Sequence, residues 1–232
     1  MNIALVLSGG TGERLGSEIP KQYITVSNKP IFLYCIETIS NHPMIDKVQI
    51  VAAELWYDFI RSKITSDKFM GFSKSGDTRQ LSVYNGLTDI LKYANDDDYL
   101  FIHDAVRPLL SYDLITGCIV VAQKHEGALP VIPMKDTMYL RGDEVNTPSL
   151  VDRSKVFAGQ APEVFKLGKY YKANSDLLPD KIRSINGSAE PAIMAGMDIV
   201  MIPGDENNFK ITTKDDLERF KDIARRRGGI LI

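Results

Sequence analysis

Three stretches of the 232-residue chain combine residue types that suit a phosphate ester. The first is "SGGTGERLGSEIPKQY", where Gly9, Gly10, Gly12 and Gly16 follow an apolar run and are joined by Arg14 and Lys21. Glycine lets backbone N–H groups approach an anion with no Cβ in the way. Arginine offers a planar fork and lysine a point charge, so Arg14 and Lys21 read as clamps on a triphosphate. A dinucleotide turn is the competing reading. G-x-G-x-x-G puts Leu15 where the third glycine belongs, and a looser variant on Gly10, Gly12 and Gly16, with Glu54 as the ribose acid, leaves Pro20-Lys21 unexplained. No G-K-[ST] follows, which rules out a Walker A loop.

The second stretch, "SGDTRQLS", places Asp77, Arg79 and Ser82 at a helix start, with Gly76 allowing close backbone approach. The third, "YLFIHDAVRP", ends an apolar strand on Asp104. A carboxylate there suits Mg²⁺ at the carboxyl end of a central strand, and equally suits an Asx turn before Pro108. His103 reads as a packed strand residue. Taken singly, Lys21 and Arg153 are ordinary surface charges and Lys210 an edge-strand lysine.

These stretches need a scaffold that brings them together. Short apolar runs at Ile3 to Leu7, Val48 to Ala53, Tyr99 to His103, Ala128 to Pro133 and Ile199 to Ile202 alternate with helix-period segments. The helical segments are Ile31 to Ser40, Thr78 to Ala94 and Tyr112 to Lys124, with a last helix capped by Thr213 and stopped by Gly228. The alternation predicts one α/β domain over residues 1–232, a mostly parallel sheet covered by helices on both faces. Ligands of such sheets bind at the carboxyl ends of the strands, which assigns the chemistry to residues 8–21, 75–82, 104–108 and the neighbourhood of 205–210. Residues 134–165 break the pattern, with strand-like pieces flanking the turn-prone "RGDEVNTPS". They predict a protruding β-hairpin arm whose apolar side chains need cover, and a homodimer supplies it.

Composition narrows the function classes. The chain carries 28 basic and 30 acidic side chains, a formal net charge of −2, with 44% apolar and 25% charged residues. That balance disfavours a nucleic-acid partner. No apolar stretch is long enough to cross a membrane and no secretory leader pattern is present, so the expected compartment is the cytoplasm. Cys35 and Cys118 lie in apolar helical stretches without metal-type spacing and read as reduced core thiols.

The first loop, followed in order by "SGDTRQLSVYNGL", "HDAVRP", "KDTM", "VDR", "GQAPEVF" and "NNFKITTKDDL", resembles the cytidylyltransferases that act on polyol phosphates. That family includes the methylerythritol-phosphate and ribitol-5-phosphate enzymes of isoprenoid and teichoic acid synthesis, and the resemblance covers nearly the whole chain. It implies a Rossmann-like nucleotidyltransferase fold and attack of a substrate phosphate oxygen on the α-phosphorus of CTP, with Mg²⁺ as the metal and pyrophosphate as the leaving group. By resemblance Arg14, Lys21 and Lys210 are the catalytic cations on the triphosphate. Leu7, Ser8, Gly9, Gly10, Gly12, Gly76, Asp77 and Ser82 belong to the nucleotide, and Asp104 to the metal and the acceptor. Arg107, Thr137, Arg153 and Ser188 belong to the acceptor phosphate, with Thr137 and Arg153 reaching it across a dimer interface.

Against the methylerythritol pattern the chain departs on the acceptor side. That pattern has "HDAARP", a T-P-Q after the arm and a Thr-Asp pair further on, where this chain has "HDAVRP", Ala161-Pro162-Glu163 and Ser188-Ala189. "HDAVRP" is nearer the ribitol-phosphate branch. CTP as donor with ribitol 5-phosphate or a related polyol phosphate as acceptor is therefore the expected reaction. A sugar-1-phosphate nucleotidyltransferase and a dinucleotide-dependent oxidoreductase are the alternatives.

Overall fold

The computed structural model describes residues 1–12, 16, 19–141 and 148–226. Arg14, Arg227 and the last-helix stop at Gly228 lie outside the described residues.

In chain order, β1 (Asn2–Leu7) leads through the glycine loop and a 3-10 turn (Lys21–Tyr23) to a small ribbon of β2 (Thr25–Val26) and β3 (Lys29–Pro30). There follow α1 (Ile31–Asn41), β4 (Lys47–Ala52), α2 (Tyr57–Arg61), β5 (Phe69–Lys74), α3 (Arg79–Ile90), β6 (Tyr99–Asp104), α4 (Tyr112–Ala122) and β7 (Gly127–Pro133). The arm contributes β8 (Met138–Arg141) and β9 (Pro148–Val151). The chain then returns through β10 (Phe157–Gly159) and β11 (Glu163–Lys166) to α5 (Leu167–Ser175), α6 (Ala189–Met194), β12 (Ile199–Pro203) and α7 (Lys214–Arg226).

The main sheet runs β10-β7-β11-β6-β1-β4-β5, with β12 parallel to β7. β1 lies between β4 and β6, parallel to both, with Leu7 in register with Asp104. The strands of this centre are buried on both faces, as a parallel sheet under two helical layers requires. One core joins α1 and α4 to the sheet through Phe32, Cys35, Ile36, Ile115 and Cys118. The other joins α3, α5 and α6 through Val83, Leu87, Tyr170 and Ala192. Burial pushes both cysteine thiols up to about 12, which leaves them protonated core residues.

The expected mainly parallel α/β sheet is present, with two corrections. The protruding part of the arm is shorter than residues 134–165, because β10 pairs antiparallel with β7 and β11 inserts antiparallel between β6 and β7. β5 has no counterpart among the expected strands. It is an edge strand whose residues are mostly half-buried, so it lacks the continuous apolar run that marks a central one.

Candidate functional site

A cavity of about 440 Å³ opens at the carboxyl ends of β1 and β6. Five separate pieces of chain line it: Leu7 and residues 9–12 with Lys21 and Gln22, Val51 of β4, residues 76–79 with Ser82, Asp104 with Val106, and Lys210. All but Val51 belong to or adjoin the four regions that the topology argument assigns to the chemistry.

The glycine loop is held in shape from within. Gln22 is 3% exposed and donates to the carbonyls of Ser8 and Gly10 at 2.7 and 2.8 Å. The Tyr23 hydroxyl donates to the Ser8 carbonyl at 2.9 Å. Ser8 is itself buried and shapes the loop, while Gly9, Gly10 and Gly12 line the cavity. Gly12 has a φ of +78°, and a Cβ there would stand 3.0 Å from the Lys21 backbone nitrogen. Only glycine lets the loop fold back on Pro20-Lys21 in this way. Lys21 is nearly buried at the cavity wall.

The second wall is the start of α3. Thr78 caps the helix by accepting from the Leu81 N–H, and the Ser82 hydroxyl accepts from the Gly76 N–H at 2.9 Å. A Cβ on Gly76 would lie 2.6 Å from the Leu81 Cβ, so this turn too closes only on glycine. Asp77 stands exposed at the rim, paired with Arg183 at 3.3 Å.

Asp104 gathers the cations. Arg79 reaches Oδ1 at 3.2 Å, while Arg107 and Lys210 reach Oδ2 at 3.3 and 3.1 Å. Burial alone would raise this carboxyl, yet Arg79, then Lys210 and Arg107, hold it well below the usual carboxylate range. Lys210 is delivered by the strand-like turn before α7, where the Ile211 N–H donates to the Val106 carbonyl at 2.9 Å. Leu217, Phe220 and Ala224 of α7 pack on Tyr34 and Ile31 and fix that turn. Thr213 accepts from the Asp216 N–H at the start of the helix, the cap expected there.

The donor set does not fit a protein-held metal. Among the described residues no group of three or more His, Cys, Asp or Glu is placed to share an ion, and both Asp104 oxygens already face cations. The carboxylate foreseen for Mg²⁺ is occupied as an organiser of positive charge.

Other expected acceptor residues are placed differently. Arg107 sits behind Asp104 and donates to the Asn208 carbonyl at 2.8 Å rather than lining the cavity. Ser188 is fully buried; its hydroxyl accepts from Arg79, so it meets the cavity through that arginine. Thr137 and Arg153 are exposed on the arm, away from the cavity of their own chain. Arg153 donates to the Lys135 carbonyl at 2.7 Å, and no two-arginine clamp with Arg107 forms within one chain. Arg79 reads in the sequence as a helix-start residue, yet it lines the cavity and bonds to Asp104. Its pairing crosses 25 residues of chain and leaves no local spacing signal. Gln22 was also missed, although a glutamine following Pro-Lys in a glycine loop is a candidate to tie backbone carbonyls.

The family model described as "IspD: 2-C-methyl-D-erythritol 4-phosphate cytidylyltransferase" matches residues 2–226. A ribitol-5-phosphate cytidylyltransferase of Lacticaseibacillus paracasei is 30% identical over 97% of this chain and 98% of its own length. A 2-C-methyl-D-erythritol 4-phosphate cytidylyltransferase of Clostridium acetobutylicum is 33% identical over the same shares. The solved 4-diphosphocytidyl-2C-methyl-D-erythritol synthase of Anaerococcus prevotii shares the fold, with a TM-score of 0.82 at 22% identity, over 97% of this chain and 96% of that one. A glycine loop, a capped second loop and a cation cluster at the end of β6 are thus set on a fold shared along the whole chain, which belongs to the IspD family of polyol-phosphate cytidylyltransferases.

Proposed function

We propose that the enzyme moves CMP from CTP onto ribitol 5-phosphate or a related polyol phosphate, giving a CDP-polyol and pyrophosphate. The observation that carries this reading is the meeting of Lys21, Arg79, Asp104 and Lys210 in one cavity beside the glycine loop. An acceptor phosphate oxygen attacks the α-phosphorus and the bond to the β-phosphate oxygen breaks. The attacking oxygen is already anionic, so no strong base is needed. Lys21 and Lys210 would offset the charge of the triphosphate and of the departing pyrophosphate. Arg14, which follows the same glycines in sequence, is proposed as a third phosphate clamp. Lys210 can leave Asp104 for a phosphate, because Arg79 and Arg107 remain on the carboxylate. The loops at 9–12 and 76–82 would hold the nucleotide. Mg²⁺ is proposed to arrive with CTP, as its phosphate-bound counter-ion. CTP is a metabolite of the cytoplasm, the compartment we propose.

The acceptor preference rests on "HDAVRP" and on the departures at Ala161, Glu163 and Ala189, which fall on the acceptor side. The arm supports a homodimer as the working unit. Tyr139 and Leu140 are each 63% exposed and Leu150 71%, an apolar surface that a second copy would cover. Thr137 and Arg153 would then serve the partner's cavity.

A coupled pyrophosphate assay tests the reading with each of four nucleoside triphosphates against ribitol 5-phosphate, 2-C-methyl-D-erythritol 4-phosphate and glycerol 3-phosphate. Release that needs CTP, with ribitol 5-phosphate giving the highest kcat/KM, is expected. A higher kcat/KM with the methylerythritol substrate overturns the acceptor assignment. Release without any acceptor overturns the reaction.

A further inference from the structure

The mechanism above leaves one buried acid unused. Glu163 opens β11 in register with Ile102, two residues before Asp104 on β6, and is 8% exposed. Arg79 Nη2 lies 3.9 Å from its carboxylate. The Ser188 hydroxyl and the Ala189 backbone, at the start of α6, act on the same carboxylate and lower it in part. Burial raises the Glu163 carboxyl despite Arg79, so the acid sits where its charge is costly.

Arg79 therefore lies between two carboxylates and the Ser188 hydroxyl. This matters because Asp104 is shared. With Asp104 as its only acid, Arg79 would draw on the charge that also holds Arg107 and Lys210. Glu163 takes part of Arg79 from the other side. The groups Arg79 bonds, Asp104 and Ser188, are those expected to face the acceptor.

We propose that Glu163 is a positioning residue that holds Arg79 toward the acceptor side of the cavity. The kinetic part rests on the cytidylyltransferase reading; the pairing itself does not.

The test compares wild type and E163Q by steady-state kinetics, with CTP binding measured by calorimetry. E163Q is expected to raise the acceptor KM about tenfold while the CTP Kd changes less than about twofold. Acceptor KM unchanged in an E163Q protein that melts like wild type overturns the proposal. A double-mutant cycle of R79K and E163Q in thermal unfolding reads the pair without any turnover: non-additive shifts are expected, and additive ones overturn it. Wild-type enzyme inert with CTP would sink the reaction assignment alone, since the cycle still decides the pair.

Discussion

The nucleotide wall and the arm solve opposite problems with the same chain. The wall is finished within one molecule. Gln22 and Tyr23 pin the loop carbonyls, Thr78 and Ser82 close the second turn, and Asp104 holds three cations together. The arm is a two-stranded hairpin with apolar side chains in solvent. Its described ties to the body lie at its base, including Lys135 on Glu206 at 2.5 Å and the Met134 N–H on the Val156 carbonyl at 3.2 Å. A triphosphate carries dense fixed charge, so its site gains from donors held in place before binding. An isolated two-stranded ribbon is marginal in water and gains from a second surface. On the proposed reading, donor recognition is a property of the protomer, whereas acceptor recognition depends on assembly.

The sharpest way to break that contrast is Lys21→Ala. It should lower kcat by roughly 10²–10³-fold, the size expected for removing one preorganised group from developing charge. Full activity in pyrophosphate release would remove Lys21 from the chemistry. Arg153→Ala should be milder and confined to the other region, raising the acceptor KM by roughly ten- to a hundredfold with the CTP Kd unchanged. Mixing it with Lys21→Ala protomers should restore activity, because one cavity of the mixed dimer then has both groups. Failure of mixtures whose heterodimers are verified by mass would place Arg153 in its own chain's site. A third change, Leu140→Lys with Leu150→Lys, should shift sedimentation toward the monomer while leaving CTP binding intact. A dimer unmoved by it would show that the arm is not the interface.

The smallest effect concerns stability and belongs to the wall alone. His103 is fully buried, and burial lowers it to about 4. An unfolded imidazole protonates near 6.5, so below that pH the unfolded chain takes up the proton first. The stability of the neutral ring is complete above about pH 6.5 and is lost progressively as pH falls toward 4. Urea midpoints should therefore fall over this window, with a shallower slope in His103→Gln. Parallel slopes in the two proteins would show that the ring does not carry the effect.

Legibility followed locality. The central strands, the cap at Thr213 and the loop glycines are written in neighbouring residues, and the structure returns them where spacing puts them. β11 is different. "EVF" is short and ends the arm, and its place between β6 and β7 depends on partners some sixty and thirty-five residues earlier in the chain. Arg79 could be read as a helix-start residue from its neighbours, but its acids at 104 and 163 lie on two other strands.

The amino-acid order alone determined the fold class, the tight glycine loop and the kind of charge each position carries, because turn geometry, helix capping and burial period act over a few residues. Only the tertiary structure decided which cation meets which carboxylate. Ion pairing depends on distance and burial, and Asp104, Arg79, Glu163 and Lys210 become neighbours only once the strands are stacked in register. That is why Asp104 could be read as a metal ligand in the sequence and stands in the fold as the centre of a cation cluster.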